Sequence, residues 1–549
     1  MSKVILALEI NIVSKKEYKK KIQCKDFIKR WNNFSEISNH CMITQEYEFV
    51  SSWYQAYASL YEPLLILGYN DNELIGILPL ALSKKDNELC HAGEYSSAYH
   101  GWLCLKEHES EFLLQSLISI KQKLAIKKWQ WLYIPPDVNT DWLKDDRLKN
   151  NGIFVKTIES DSPVYQLADQ TRINKVRKHR SLRPLINRLK RKGELRIERI
   201  VDRKRADALF DVMANQSNFR KLALYDYLPF ENDSLRKDWY LSRLEKSDNI
   251  QFVILWQGDK PLACSLAYCS KERVIGMMFS YDPVQSANSP GTVFFILYIK
   301  YLRDQGYQYL DLTSGGEPYK ERFCNDYKRV VKPTFSFGYR SRIKQKPVMM
   351  LKKYYKNQLQ GKKINRKLAN AKNFKKKSIR RLCKNKVKSN LEGKDQLFLY
   401  KNLHSYTQQA NLYCVNQQHY PDLFLYKDTM RCCPPKEMAS NALRSFSRRD
   451  RLYSIVSNGE IQLFAWLAIA GKKHWETCVH ECLAASKNNY VIYDLYINPN
   501  CKDTKKVFSS FIDTVTQQFR QDKNKKLYLL KPLGMEIYLP INQGFSFDH

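Results

Sequence analysis

Residues Phe279–Arg303 read FSYDPVQSANSPGTVFFILYIKYLR, and the reading of this stretch decides the fold. Its start completes an apolar run from Arg273 to Tyr281 (RVIGMMFSY), rich in β-branched and aromatic residues, which predicts a strand. A polar loop follows. From Gly291 to Arg303 apolar residues continue for longer than one strand needs, so a helix is expected. Ser289 suits the N-cap of that helix, Pro290 its first turn, and Gly291 lets backbone come close to a ligand. A helix start gathers free N–H groups at the positive end of the helix dipole, which suits a pyrophosphate. The same Ser-Pro-Gly step also opens ordinary helices.

Downstream, Tyr307–Asp311 (YQYLD) is the next expected strand, and Asp311–Phe323 reads DLTSGGEPYKERF. Gly315-Gly316 makes a flexible turn, and Glu317, Tyr319, Lys320 and Arg322 crowd the following positions. Strand ends followed by glycines and by acid, phenol and amine groups often line α/β sites. Glu317 is the candidate general base and Tyr319 the candidate acid toward a leaving group. Asp311 and Lys320 complete the candidate catalytic set. A solvated surface loop has a similar composition.

Upstream, Leu195–Ile200, Ile250–Trp256 and Pro261–Tyr268 read as strands, the last two around the turn Gly258-Asp259. Ala206–Gln216 reads as a helix. Arg172–Gly193 predicts a basic helix, kinked at Pro184 and ended by glycine, with ten Lys or Arg between 172 and 192. Those charges circle the helix, so it makes no clean membrane face. It is a solvated helix or a binder of anionic acceptors.

Nearer the start, Gln45–Tyr61 has apolar residues at helical spacing, and Pro63–Tyr69 with Leu74–Leu82 predicts a hairpin around Asn70-Asp71-Asn72. Trp129–Ile134 (WQWLYI) is a further expected strand. Toward the end, Tyr453–Val456, Ile461–Ala470, Tyr490–Ile497 and Leu527–Leu530 predict strands, and Val507–Phe519 a helix. Asn458-Gly459 joins the first two strands. This order of hairpin, strand, helix and strand repeats the order around Phe279–Arg303, which suggests an internal duplication.

The 549 residues suffice for three or four units. The expected class is α/β with mixed sheets. The expected divisions are a domain at 1–165, a second at 166–340, a basic linker or exposed helix at 341–392, and a last domain at 393–549. From Arg340 to Lys388 there are 20 Lys or Arg and no acid. The whole chain carries +35. Such a balance favours anionic partners: cofactor phosphates, an anionic membrane surface at about 1 kcal/mol per nearby basic residue, or nucleic acid. No zinc-finger spacing or RNA-binding aromatic motif supports the last. The scarcity of glycine and proline, 19 each, argues against fibrous or disordered classes. No run of 18 apolar residues predicts a membrane span, and the apolar opening, interrupted by Glu9, lacks a cleavage site. The 14 cysteines form no C-x-x-C pair and the histidines no metal spacing, so a reduced, cytoplasmic protein without a metal is expected. Cys264 and Cys269 lie in or beside an apolar strand, as core residues do.

The pieces RKHRSLRPLINRLKRKGEL, FVILWQGDKPLACSLAY, FSYDPVQSANSPGTVFFILYI and LDLTSGGEPYKERF resemble, in this order, the GNAT domain of CelD/BcsL-type acetyltransferases linked to exopolysaccharide synthesis. SSWYQAY and IGILPLAL resemble that family's N-terminal half, so the likeness covers about 1–340. It implies tandem GNAT-like domains, three in number, with the last a degenerate or acceptor-recognising unit. It implies acetyl-CoA or another acyl-CoA as cofactor, held by Gln285, Asn288, Ser289, Gly291 and Thr292 and by the strand at Met278 and Phe279. The backbone of that strand would supply an oxyanion site. The common pyrophosphate pattern is altered here: Gln285 is far from Gly291, and Val293 stands where a second glycine is usual. The implied reaction is N- or O-acyl transfer to a sugar, amino sugar or lipid-linked glycan, and the basic residues 340–388 suit a peripheral hold at the inner face of the membrane. Two rival expectations are an aminoacyl transferase resembling the FemABX group, using charged tRNA, and a non-catalytic GNAT-like scaffold.

Overall fold

The computed structural model describes residues 8–38, 41–169, 171, 182–270, 272–315, 317–338, 397–400, 413–427, 433–469, 490–519, 527–530 and 545–547. The basic stretch 341–392 and residues 172–181 of the expected basic helix lie outside the described residues. The chain divides into two compact units. The first takes residues from the N-terminus to Val212, Asp233–Ser280 and the chain from Gly291. The second takes Met213–Asn232, Tyr281–Pro290 and the C-terminal part.

The first unit holds two sheets. Strands β1 (Glu9–Val13), β2 (Tyr61–Asn70), β3 (Glu73–Ser83), β4 (Leu89–His91) and β5 (Leu103–Cys104) form an antiparallel sheet, with β5 beside β3. The β2–β3 turn puts Asp71 at φ 50° and Asn72 at φ 63°, left-handed values that Asx residues tolerate. Eight further strands make the larger sheet: β6 (Lys128–Gln130), β7 (Ile153–Gln166), β8 (Leu195–Ile200), β9 (Ile250–Gln257), β10 (Lys260–Cys269), β11 (Arg273–Tyr281), β12 (Tyr309–Asp311) and β13 (Asp326–Phe337). Their order across the sheet is β6-β13-β7-β12-β11-β10-β9-β8. The boundary expected at 165 therefore falls inside β7. Residues 153–164 pair with β13 from Asp326 to Phe337, so the chain before 166 helps build the larger sheet.

The strand expected at Trp129–Ile134 is regular only to Gln130. Pro333 of β13 lies next along the register, and proline has no N–H to donate to a ladder. Trp131 and Ile134 still donate to the carbonyls of Pro333 (3.1 Å) and Val331 (2.8 Å), so the chain stays alongside without regular pairing.

Helices of this unit include α1 (Lys15–Lys21), α2 (Lys25–Ile37), α3 (Tyr47–Ala56), α4 (Glu109–Lys123), α5 (Asp146–Asn150) and α6 (Leu182–Lys190). They also include the first part of α7 (Arg203–Tyr225), then α8 (Arg236–Lys246), α9 (Pro290–Asp304) and α10 (Pro318–Phe323). Helix α9 buries Val293, Phe294, Phe295, Tyr298 and Leu302. Each such side chain contributes about 1.5–3 kcal/mol. That apolar face anchors the helix that follows β11.

The second unit has strands β14 (Leu397–Tyr400), β15 (Val415–Gln417), β16 (Arg451–Ser457), β17 (Glu460–Ile469), β18 (Tyr490–Ile497), β19 (Leu527–Leu530) and β20 (Phe545–Phe547). They lie in the order β15-β16-β17-β18-β19-β14-β20. Helix α12 (Thr504–Phe519) buries Val507, Phe511 and Val515 among Leu463, Ala465 and Ile492 of this sheet. A second cluster joins Ala439, Ala442 and Phe446 of α11 (Pro435–Arg448) to Trp466 and Phe464, together with Phe219 and Leu222 from the end of α7. Helix α7 outruns its expected end at Gln216 because those last apolar residues are buried here.

Candidate active site

Strands β11 and β12 are parallel, with Arg273 opposite Tyr309, Val274 opposite Leu310 and Ile275 opposite Asp311. There the pairing stops. β12 ends at Asp311, while β11 runs on from Gly276 to Tyr281 with no register partner on β12. The open edge offers backbone N–H and C=O groups to an extended ligand. Met278 and Phe279 lie on this stretch, both half-buried. The Phe279 ring meets Phe295 at 5.8 Å and Tyr319 at 6.2 Å between centroids. It also covers Gly276, where an added Cβ would fall 2.6 Å from the ring. Glycine at 276 is what lets that ring lie there.

Helix α9 begins at Pro290, and Gly291 and Thr292, both half-buried, form its first turn. Ser289 departs from the expected N-cap. Its φ and ψ are 50° and 52°, left-handed, where an N-cap residue is extended. Its N–H donates to the Ser286 carbonyl (3.0 Å), closing the short 3-10 turn Pro283–Asn288 instead. Within that turn the Asn288 amide donates to Gln285 Oε1 at 3.0 Å. Gln285, Asn288 and Ser289 fall in the segment assigned to the second unit, and Gly291 and Thr292 in the first. The expected cofactor-binding residues are thus divided between the two units.

The expected catalytic residues lie in the first unit. Lys320 is buried, and its Nζ pairs with Glu317 Oε2 at 2.9 Å and donates to the Thr313 carbonyl at 3.1 Å. Gly315 makes room for this pair: its φ is 154°, and a Cβ there would lie 3.1 Å from both Glu317 Oε2 and Lys320 Nζ. Tyr319, on the short helix α10, meets Phe279 and Phe295 in T-shaped ring contacts. Asp311 is only 1% exposed. Its carboxylate accepts from the Tyr99 hydroxyl and from the Thr313 N–H, both at 2.8 Å. Burial pushes its pKa up, against the lowering pull of the Thr313 bond and the Arg273 charge. Asp311 therefore holds the end of β12 in place, and the polar side chains between it and α10 are those of Thr313, Ser314 and Glu317.

Sequence reasoning missed Tyr99 and Arg243. Tyr99 lies 212 positions from Asp311, beyond any local pattern. Arg243 is 2% exposed, one turn beyond the buried Trp239 on α8. That i, i+4 spacing from an apolar residue was its one signal. Among the described residues no group of three or more His, Cys, Asp or Glu is placed to hold a metal ion. No helix among them is long and apolar enough to cross a membrane.

Residues 175–321 match the family model described as "Acetyltransferase (GNAT) domain". The chain carries a GNAT acetyltransferase domain. By that domain it is an enzyme of the acyltransferase class, with the β11–α9–β12 arrangement inside the matched residues. No curated protein matches the chain. Among solved structures, FemX is similar at 12% identity, over 58% of this chain and 97% of that one, with a TM-score of 0.40. L-PGS from Bacillus licheniformis is similar at 11% identity, over 55% and 94%, with a TM-score of 0.34. A tandem GNAT protein from the clavulanic acid biosynthesis pathway is similar at 9% identity, over 60% and 98%, with a TM-score of 0.32.

Proposed function

We propose that the first unit transfers an acyl group from acyl-CoA to an amine or hydroxyl of a sugar or amino-sugar acceptor used in envelope polysaccharide synthesis. The observation that supports this is the open half of β11, Gly276–Tyr281, followed by the first turn of α9, both within the matched GNAT residues. An extended pantetheine-like arm fits an unpaired strand edge, and a helix start fits a pyrophosphate. The thioester, when bound, supplies the activated acyl group.

In this reading the residues of the chain divide the work. The N–H groups of Gly291 and Thr292 bind phosphate. The backbone at Met278 and Phe279 steadies the thioester oxygen as charge grows on it. Glu317 takes the acceptor's proton, and Tyr319 gives one to the departing thiolate. Lys320 is a positioning residue, since its ammonium holds Glu317 at 2.9 Å. Asp311 positions the mouth through Tyr99 and Thr313. The acceptor class rests on the CelD/BcsL resemblance, and a place at the inner face of the membrane on the basic composition of residues 340–388.

The test is calorimetric titration of the full chain with acetyl-CoA, followed by acetyl transfer to a panel of amino sugars. Gly291→Trp should abolish acetyl-CoA binding and leave the melting temperature near wild type. Equal affinity in the variant and wild type would overturn the donor site. Binding of charged tRNA with no response to any CoA thioester would favour an aminoacyl transferase instead.

A further inference from the structure

A cavity of about 420 Å³ lies in the first unit, apart from the open edge of β11, lined by residues of α1, α3 and α8 and by the start of β2. Arg243 is part of its wall. This guanidinium is almost wholly buried, yet Nε and Nη2 have no hydrogen-bond partner. Only Nη1 is engaged, donating at 3.2 Å to Ser52 Oγ, and Ser52 lines the same cavity. The rest of the charge rests on the Phe49 face, 5.2 Å from the ring centroid. Among the described residues no carboxylate forms an ion pair with Arg243. Glu46 and Glu48 act on it only through the longer-range field.

A buried, unpaired cation is costly, and proteins normally pair it or coordinate it. Two more cations, Lys19 and Lys246, line the cavity, against the single carboxylate of Glu48. The phenol rings of Tyr18, Tyr47 and Tyr54 supply flat apolar walls. Burial holds the Tyr18 and Tyr54 hydroxyls far above their usual pKa, so they remain neutral there. The volume falls in the range of small-molecule sites, about 300–1,000 Å³. Aromatic walls, neutral hydrogen-bonding side chains such as Ser51, Gln55 and Ser242, and an excess of positive charge describe a receptor for one kind of ligand.

We infer that this cavity binds a small organic anion, a phosphate monoester or carboxylate with a flat apolar body, which pairs with Arg243 and Lys246 and stacks on the tyrosines. It is a second site beside the acyl-donor site and does not depend on the donor reading.

The probes are phenyl phosphate and benzoate, titrated into the full-length protein at constant ionic strength, with melting temperature and calorimetric Kd as readouts. At about ten times Kd, the better probe should raise wild-type melting by about 2–4 °C. Arg243→Met keeps an unbranched apolar stem and removes the guanidinium and its charge. Without ligand it should melt no lower than wild type, because an unpaired buried charge is gone, and the probe-induced shift should vanish. Lys246 is exposed, so Lys246→Ala tests the site without threatening the core. It should weaken Kd by about 3–10-fold, the cost of one partly solvated charge. A probe shift of equal size in wild type, Arg243→Met and Lys246→Ala would overturn the assignment. So would no shift in wild type with either probe. Acetyl-CoA binding measured in the same variants should be unchanged, so failure here is distinct from failure of the donor site.

Discussion

The larger sheet of the first unit and the sheet of the second share one wiring. β8 corresponds to β15, β9–β10 to the hairpin β16–β17, β11 to β18 and β12 to β19. β7 and β13 correspond to β14 and β20, and both outer pairs are antiparallel. The agreement extends to register. β18 is parallel to β19 over three residues, Tyr490–Ile492 against Leu527–Leu529, and then runs on to Ile497 without a β19 partner. A helix follows in each case, α9 in one and α12 in the other. The duplication suggested by the order of elements is thus present in strand pairing. The small antiparallel sheet β1–β5 has no parallel pair among the described residues, so the shared pattern occurs in two sheets.

What differs is the chemistry at the point where the strands part. After Ile275 the first unit has Gly276, and opposite Ile275 stands the buried Asp311. After Ile492 the second unit has Tyr493, and opposite Ile492 stands Leu529. The Tyr493 hydroxyl is tied to Asp450 Oδ2 and Ser445 Oγ, both at 2.8 Å, and receives a bond from Arg448 at 3.1 Å. The turn before α12, Asn498–Asp503, has no glycine, whereas α9 carries Gly291 in its first turn. One wiring thus holds a glycine-bearing opening in one unit and a hydrogen-bonded tyrosine network in the other. Topology is duplicated, and side chains at a few positions decide what each copy can do.

The largest expected effect separates the two copies outright. Glu317→Gln should lower kcat by about 10²–10⁴, the usual contribution of a positioned base, with acetyl-CoA Kd nearly unchanged. Tyr493→Phe should leave kcat within about twofold. Steady-state kinetics on both variants check this, and equal losses would mean that the second unit takes part in the chemistry.

Much of this comparison was legible in the sequence. The runs at 195–200, 273–281, 490–497 and 527–530 became strands with the predicted bounds, because continuous apolar stretches with turn residues at their ends have few other options. The helix start at Pro290 was legible to one residue. The left-handed Ser289 was not, since a serine there satisfies both an N-cap and the close of a 3-10 turn. Nor was the reach of β7 across the expected boundary at 165, because its partner β13 lies more than 160 positions later in the chain. The roles of Asp311 and Arg243 depend on burial by residues distant in sequence, Tyr99 for one and Phe49 with Ser52 for the other. Residue type and spacing carry no record of such contacts.

A smaller effect tests the tyrosine network itself. Tyr493→Phe removes a donor from the buried Asp450, leaving Arg448 as a partner at 2.9 Å. A buried acceptor losing one donor costs about 1–3 kcal/mol. Urea unfolding should show that loss in the transition of the second unit and none in the first. A loss shared by both transitions would mean that the units unfold together.

The smallest effect appears as a slope rather than a step. Burial raises the pKa of Asp311, so the folded protein keeps a proton that the unfolded chain releases near pH 4. The contribution of Asp311 to stability is therefore fully present below that pH and is lost as pH rises through its higher folded value. Asp311→Asn removes this dependence while an amide oxygen still accepts from Tyr99 or Thr313. The difference in unfolding free energy, variant minus wild type, should grow with pH across the weakly acidic range and level off once Asp311 is ionised in both states. Leu529→Met, at the matching place in the second unit, should show no such trend, because no ionisable group stands there. A flat difference for Asp311→Asn would mean that the Tyr99 and Thr313 bonds keep the carboxylate charged despite its burial, and the two copies would then differ in packing alone at this position.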